Sequence, residues 1–297
     1  MNHPNKDCIR LEKKIFKNAM FQSSIDATYI IHLEGNGRLP SIEQQLDNYH
    51  PTNLVYIVFN KGYKNCQKVL PSQLPVFDLV DTFLYVFQHA NENGFKNILI
   101  LEDDFIFSQE ITHYNHLNNI NNFLIEKQNE NMMYFLGCLL WLQLPYNSHT
   151  YINLVSTGTH AVIYSFKTRE YMLNKKIIPI FDWDIYNNCF SGIRRYVYYK
   201  PLCYQLFPET ENSNKWPSLF GFNPLKLYIK YNRLDVEAEN GYDNAYKYSK
   251  IFGYLYLLIL IILFFMVISY LWNNRKKLKQ IKKTKSIFLS YIKFLPL

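Results

Sequence analysis

The amino-acid sequence predicts an α/β fold, a parallel or mixed sheet with helices on both faces, followed by one transmembrane helix near the C-terminus. Three observations carry this reading. Short aliphatic and β-branched runs alternate with stretches of helical period. One of those runs, Asn97–Leu101, ends in three consecutive carboxylates, Glu102, Asp103 and Asp104. A later stretch, Ile251–Trp272, holds 22 residues without a charge.

The elements follow in order. Thr28–Leu33 (TYIIHL) reads as a strand, with a turn at Gly35 and Gly37 and a helix from Leu39 to Tyr49. His50-Pro51 ends that helix, because the residue before a proline is pushed out of the helical region. Leu54–Phe59 (LVYIVF) is the next strand. Over Phe77–Asn91 the apolar residues Leu79, Val80, Phe83, Leu84, Val86 and Phe87 recur with helical period, and Asn93-Gly94 stops the helix. Asn97–Leu101 is a buried strand, Leu117–Lys127 a helix, Met132–Gly137 and Ala161–Tyr164 further strands, and Thr168–Asn174 a helix. The pattern predicts one catalytic domain over residues 21–235, preceded by a polar segment, 1–20, and followed by a linker, 236–250.

At 1.5 Å per residue the uncharged stretch 251–272 spans roughly 33 Å, enough to cross a bilayer core. Tyr254, Tyr256, Tyr270 and Trp272 lie towards its ends, where interfacial aromatics belong. The net charge of +8 belongs to the basic tail, 273–297: from Ile251 onward there are eight basic residues and no acid. Residues 1–250 carry 24 basic and 24 acidic side chains, so the charge offers no nucleic-acid-binding surface. The tail's cations predict a cytosolic C-terminus, whereas insertion of a lone C-terminal anchor predicts a cytosolic domain; both orientations stay open. The polar N-terminus has no apolar segment of a cleavable signal peptide. Five scattered cysteines without a CxxC pair indicate neither a disulfide framework nor a zinc site, which favours a reducing compartment.

The chemistry centres on Glu102, Asp103 and Asp104. Adjacent carboxylates at a buried strand's end repel one another and become tolerable when a divalent cation neutralises them. The carboxyl edge of an open α/β sheet is also where such folds bind ligands. The plainer reading is a solvated acidic turn. A hard cation such as Mg²⁺ or Mn²⁺ keeps positions open for phosphate oxygens. The chain has no GxxxxGK[ST] loop, so it is no P-loop NTPase. Gly35-Asn-Gly37-Arg38 is either an ordinary strand-to-helix turn or a set of amides and a guanidinium facing a diphosphate.

The succession of these motifs resembles glycosyltransferase family 25, which includes bacterial lipopolysaccharide galactosyltransferases and collagen β-galactosyltransferases. The matching pieces are Ile31–Arg38, Phe95–Phe107 (FKNILILEDDFIF), Thr157–Ser165 (TGTHAVIYS), Ile180–Ile185 (IFDWDI) and Pro201–Ser213 (PLCYQLFPETENS), together most of residues 25–215. The resemblance implies a GT-A-like, Rossmann-type fold and a nucleotide-sugar donor, usually UDP-linked. It implies inverting transfer of galactose or a similar sugar to a hydroxyl of a glycan, lipid or protein. It also makes Glu102, Asp103 and Asp104 a DxD-like element holding Mn²⁺ or Mg²⁺ on the donor diphosphate. The chain departs from the family after Leu33, where several basic residues are typical and Arg38 stands alone.

Inverting transfer needs a base for the acceptor proton. Asp182 and Asp184, flanking Trp183, are the candidates, with helix capping the competing role. Arg38 and His160 are candidates for donor binding, although a lone His is commonly a structural hydrogen-bonder. Gln205, Glu209 and Asn212 lie in the acceptor-side segment without a derivable role. Trp141, Trp183 and Trp216 are either sugar platforms or core. Two other readings compete with the membrane-anchored transferase: a catalytically degenerate scaffold of the same fold, and a nucleotidyl or phosphoryl transferase. The latter would want acids on the neighbouring strand ends, which carry only Glu34.

Overall fold

The computed structural model describes residues 3–175, 183–190, 192–207 and 223–292, with side chains of the last helix described as far as Arg275. The strands are β1 (Ile9–Ile15), β2 (Ala27–Leu33), β3 (Leu54–Asn60), β4 (Asn97–Glu102), β5 (Phe105–Phe107), β6 (Met132–Pro145), β7 (Thr150–Ser165), β8 (Arg194–Tyr198) and β9 (Cys203–Gln205). The helices are α1 (Leu39–Asn48), α2 (Pro75–Glu92), α3 (Tyr114–Glu126), α4 (Phe166–Asn174), α5 (Pro224–Tyr231) and α6 (Glu239–Ile292). Seven strands form one mixed sheet in the order β1-β3-β2-β4-β7-β6-β8, while β5 and β9 pair separately. Strands β3, β2 and β4 run parallel, and β1 and β7 run antiparallel to their neighbours. The mixed α/β architecture expected of the sequence is the one formed.

Burial on both faces of the sheet explains the unbroken apolar runs. Along β4, Ile98 and Ile100 join Val80, Phe83 and Phe87 of α2 in one core, to which Met172 of α4 also belongs. Leu99 and Leu101 point the other way, to Ile42 and Leu46 of α1 and Ile120, Phe123 and Leu124 of α3. Helix α2 starts at Pro75, where a missing N–H costs nothing, and Gly94 ends it in the left-handed region, φ 70°.

Two expectations need correction. Residues 1–20 are not merely a polar segment outside the domain: Ile9–Ile15 forms edge strand β1, pairing with all of β3. Its mixed pattern IRLEKKI hides the strand, because an edge facing solvent tolerates charges that also discourage further pairing. That pairing sets Ile9 opposite Asn60 and brings Cys8 to the loop after β3, where it forms a disulfide with Cys66 across 58 residues. The scattered spacing gave no sign of it. Nearby, the fully buried Lys68 bridges Asp78 (2.6 Å) and Asp81 (3.3 Å) of α2, and Asn5 donates to Asp81 at 2.8 Å.

Strands β6 and β7 are also far longer than the sequence suggested. They form a bulged hairpin whose register shifts between Phe135 and Gly137, Gly137 and Leu139, Leu140 and Leu142, and Leu142 and Gln143. Each bulge breaks the period-2 pattern by which a strand is recognised. Residues 3–250 lie in the first of two compact units. The second, from Ile251, continues α6, and one stretch of that helix is long and apolar enough to cross a membrane.

Gly137 lets β9 come close to β6. A Cβ there would lie 1.8 Å from the Cys203 carbonyl oxygen and 2.9 Å from His160 Nε2. Leu202 N–H donates to the Leu136 carbonyl at 2.8 Å in the same contact. The Gly137→Ala protein is therefore expected to melt well below wild type, by at least the ~1–3 kcal/mol of an overpacked core; thermal denaturation followed by circular dichroism checks this.

Candidate active site

The carboxyl ends of β2 and β4 meet, with Ile31 opposite Glu102. After β2 the chain turns through Gly35 (φ 80°) and Gly37 (φ 77°), a left-handed geometry that suits glycine. This turn wraps Asp103. Its Oδ2 accepts from Leu33 N–H (3.1 Å), Asn36 Nδ2 (2.5 Å) and His32 Nδ1 (3.3 Å), and its Oδ1 accepts from Arg38 Nη1 at 2.6 Å. Burial pushes the Asp103 carboxyl up, but His32, Arg38 and Asn36 together hold it below the ordinary carboxylate value. In the reading of Gly35–Arg38, the turn's polar groups serve the protein's own carboxylate.

Asp104 is held differently. Arg38 Nη1 (3.0 Å) and Gln205 Nε2 (3.1 Å) both donate to its Oδ2. Its Oδ1 is buried and, among the described residues, has no hydrogen-bond partner. Burial raises its pKa to about 6 against the pull of Arg38. Glu102 accepts from Thr159 Oγ1 at 2.9 Å. Burial, then repulsion from Asp104, raises Glu102 to about 8, with Asp184 adding to the repulsion.

Asp184 sits in a short helical turn, Trp183–Ile185, and its Oδ2 accepts from Gly158 N–H at 2.8 Å. Asp182 lies outside the described residues, as do Glu209, Asn212 and Trp216. His160, on β7, is fully buried, with Nε2 3.4 Å from the Cys203 carbonyl and its ring edge-on to Tyr242. Burial lowers its pKa to about 4, so it is neutral at physiological pH. It backs the site from within. Trp183 packs in the core against Phe83 and Tyr186, and Trp141 packs edge-on to Tyr228 while donating to Thr157.

Among the described residues no three His, Cys, Asp or Glu side chains are grouped to hold a metal ion. Mg²⁺-type sites commonly use only one or two carboxylates and complete their shell with water and substrate phosphates. The donor set suits that arrangement through the unpartnered Asp104 Oδ1, a hard oxygen ligand, with Glu102 beside it. Asp103 has its oxygens engaged and serves the turn. Thr159, Asn36 and Gln205 are site residues that sequence reasoning left without a role. Their partners lie 57, 67 and 101 residues away, and no local pattern marks them.

No protein-family model and no curated protein matches the chain. Among solved structures, A197 from STIV is similar over 62% of this chain and 86% of its own, at 12% identity and a TM-score of 0.36. A glycosyltransferase involved in the glycosylation of the major capsid of PBCV-1 is similar over 59% of this chain and 83% of its own, at 11% identity and a TM-score of 0.34. Similarities this low carry no argument about activity or family.

The raised Glu102 pKa has a definite sign for stability. The folded chain binds a proton that the unfolded chain loses near pH 4.5, so this contribution is full at low pH and is lost as pH rises towards about 8. Glu102→Gln keeps an acceptor for Thr159 and removes the ionisation. In chelator its Tm is expected to exceed that of wild type at pH 8 by at least about 2 °C, near the shift for ~1 kcal/mol in a domain of this size. The gap should close towards pH 5; melts across that range measure it.

Proposed function

We propose that this protein is a membrane-anchored glycosyltransferase of the family 25 type. It moves a hexosyl group, galactose or a similar sugar, from a nucleoside-diphosphate donor, usually UDP-linked, to a hydroxyl of a glycan, lipid or protein. The observation that carries the reading is the buried, unpartnered Oδ1 of Asp104 at the carboxyl edge of the sheet, beside Glu102. The motif order in the sequence supports it, and the apolar helix near the C-terminus supports the anchor.

In this reading Asp104 and Glu102 hold Mn²⁺ or Mg²⁺. The cation, when bound, stabilises the charge that grows on the leaving diphosphate. Arg38, whose side chain is one-quarter exposed, supplies positive charge at the same edge while fixing Asp103 and Asp104. His160, buried and neutral, supports the donor site from beneath. Asp184 takes the acceptor proton, oriented by the Gly158 N–H.

Asp104→Asn is expected to abolish Mn²⁺-dependent hydrolysis across a panel of UDP-sugars while its melt stays within about 2 °C of wild type. Full activity in that variant, or its unfolding, would make the acids structural.

Asp184→Asn is expected to lower kcat by about 10²–10⁴, the usual worth of a general base, with donor KM little changed. NMR of the product from an α-linked donor should show the β anomer; an α product, or unimpaired kcat, removes Asp184 from the role.

A further inference from the structure

We propose that Gln205 is the positioning residue of the metal site: with Arg38 it grips Asp104 by Oδ2 and so presents Oδ1 to the cation. The proposal rests on the reading that Asp104 binds a divalent metal. Its basis is geometric. Two donors from different parts of the fold, Arg38 Nη1 and Gln205 Nε2, converge on one oxygen of Asp104 and leave the other buried and unpartnered. Two hydrogen bonds to one oxygen restrain rotation of the carboxylate, so its second oxygen is held in place before any ligand arrives.

Gln205 is itself placed by backbone rather than by chance contact. It ends β9 opposite Phe105, the residue after Asp104. Strand β9 is seated against β6 at Gly137, where no side chain fits. Behind Gln205, its Oε1 lies close to Gly158 and to the buried His160: a Cβ on Gly158 would stand 3.5 Å from that oxygen and 3.1 Å from His160 Nδ1. The choice of an amide is chemically sensible. Arg38 spreads its charge over Asp103 and Asp104. A second cation at 205 would neutralise Asp104 and compete with the metal, whereas a neutral donor orients the carboxylate and leaves its charge in place.

The test uses the full-length protein in detergent with Mn²⁺ alone as the probe. Free Mn²⁺ is counted by its electron paramagnetic resonance signal, so no turnover is needed. Gln205→Met keeps the length of the side chain and removes the donor; it should weaken Mn²⁺ binding by about 10–100-fold, the usual effect of losing a ligand's supporting partner. Gln205→His, measured at pH 8 where the ring is neutral and Nε2–H can donate from near the position of the amide nitrogen, should recover most of that loss. Melts of both should stay within about 2 °C of wild type.

If Gln205→Met binds Mn²⁺ as wild type does while Asp104→Asn is impaired, Gln205 has no positioning role and the metal reading stands. If Gln205→Met weakens binding only by lowering the melt, and Gln205→His restores neither, the role is structural and the proposal falls. If wild type binds no Mn²⁺, or Asp104→Asn binds as well as wild type, the metal reading fails and this inference fails with it.

Discussion

Three neighbouring carboxylates at the end of a buried strand cannot all be ionised without partners, because each raises the cost of charging the next. The chain resolves this by giving each acid a different environment. Asp103 takes four donors from the end of β2 and the turn after it, and stays ionised. Asp104 shares Arg38 and Gln205 through one oxygen, and Glu102 has Thr159. Much of the site depends on the first of these arrangements. Asp103 fixes the Gly35–Arg38 turn, the turn fixes Arg38, and Arg38 then reaches Asp104 as well. Losing Asp103 would therefore release the loop and the guanidinium together.

The second structural requirement is close approach behind the site. Gly137 removes a side chain where β9 crosses β6, and Gly158 (φ 88°) frees its N–H for Asp184 beside His160. These glycines let two backbones and an imidazole occupy a space that alanine would fill. A fully buried, neutral His160 is consistent with that packing, since its charging would be opposed by burial. The carboxylate edge is thus backed by closely packed backbone and an imidazole, and close packing of this kind is what a metal or diphosphate site needs from its surroundings.

At the same carboxyl edge, the segment after β3 is tied down twice. The Cys8–Cys66 disulfide closes it onto the N-terminal strand, and Lys68 closes it onto α2 through Asp78 and Asp81. A buried ion pair of this sort is costly to break from one side, because the remaining charge is left unpaired. Both ties keep the loop 61–74 beside the turn that holds Asp103, where Gly62 approaches Leu33.

The sequence by itself determined the layering. Double-sided burial writes aliphatic runs such as ILIL and LVYIVF, helical burial writes the spacing of α2, and a membrane-length helix writes an uncharged stretch. It also marked Glu102–Asp104 and Arg38, because runs of like charge at a strand end are legible without partners. Only the tertiary structure decided which acid does what. Asp103 differs from Asp104 through donors 65–101 residues distant in sequence, and Gln205 reaches Asp104 only because β9 pairs with β5. Strand β1, the bulged β6–β7 hairpin and the Cys8–Cys66 bridge escaped for the same reason. Edge exposure, bulges and cross-chain pairing leave no period in the sequence, since they are set by what lies alongside a residue and not by its chain neighbours.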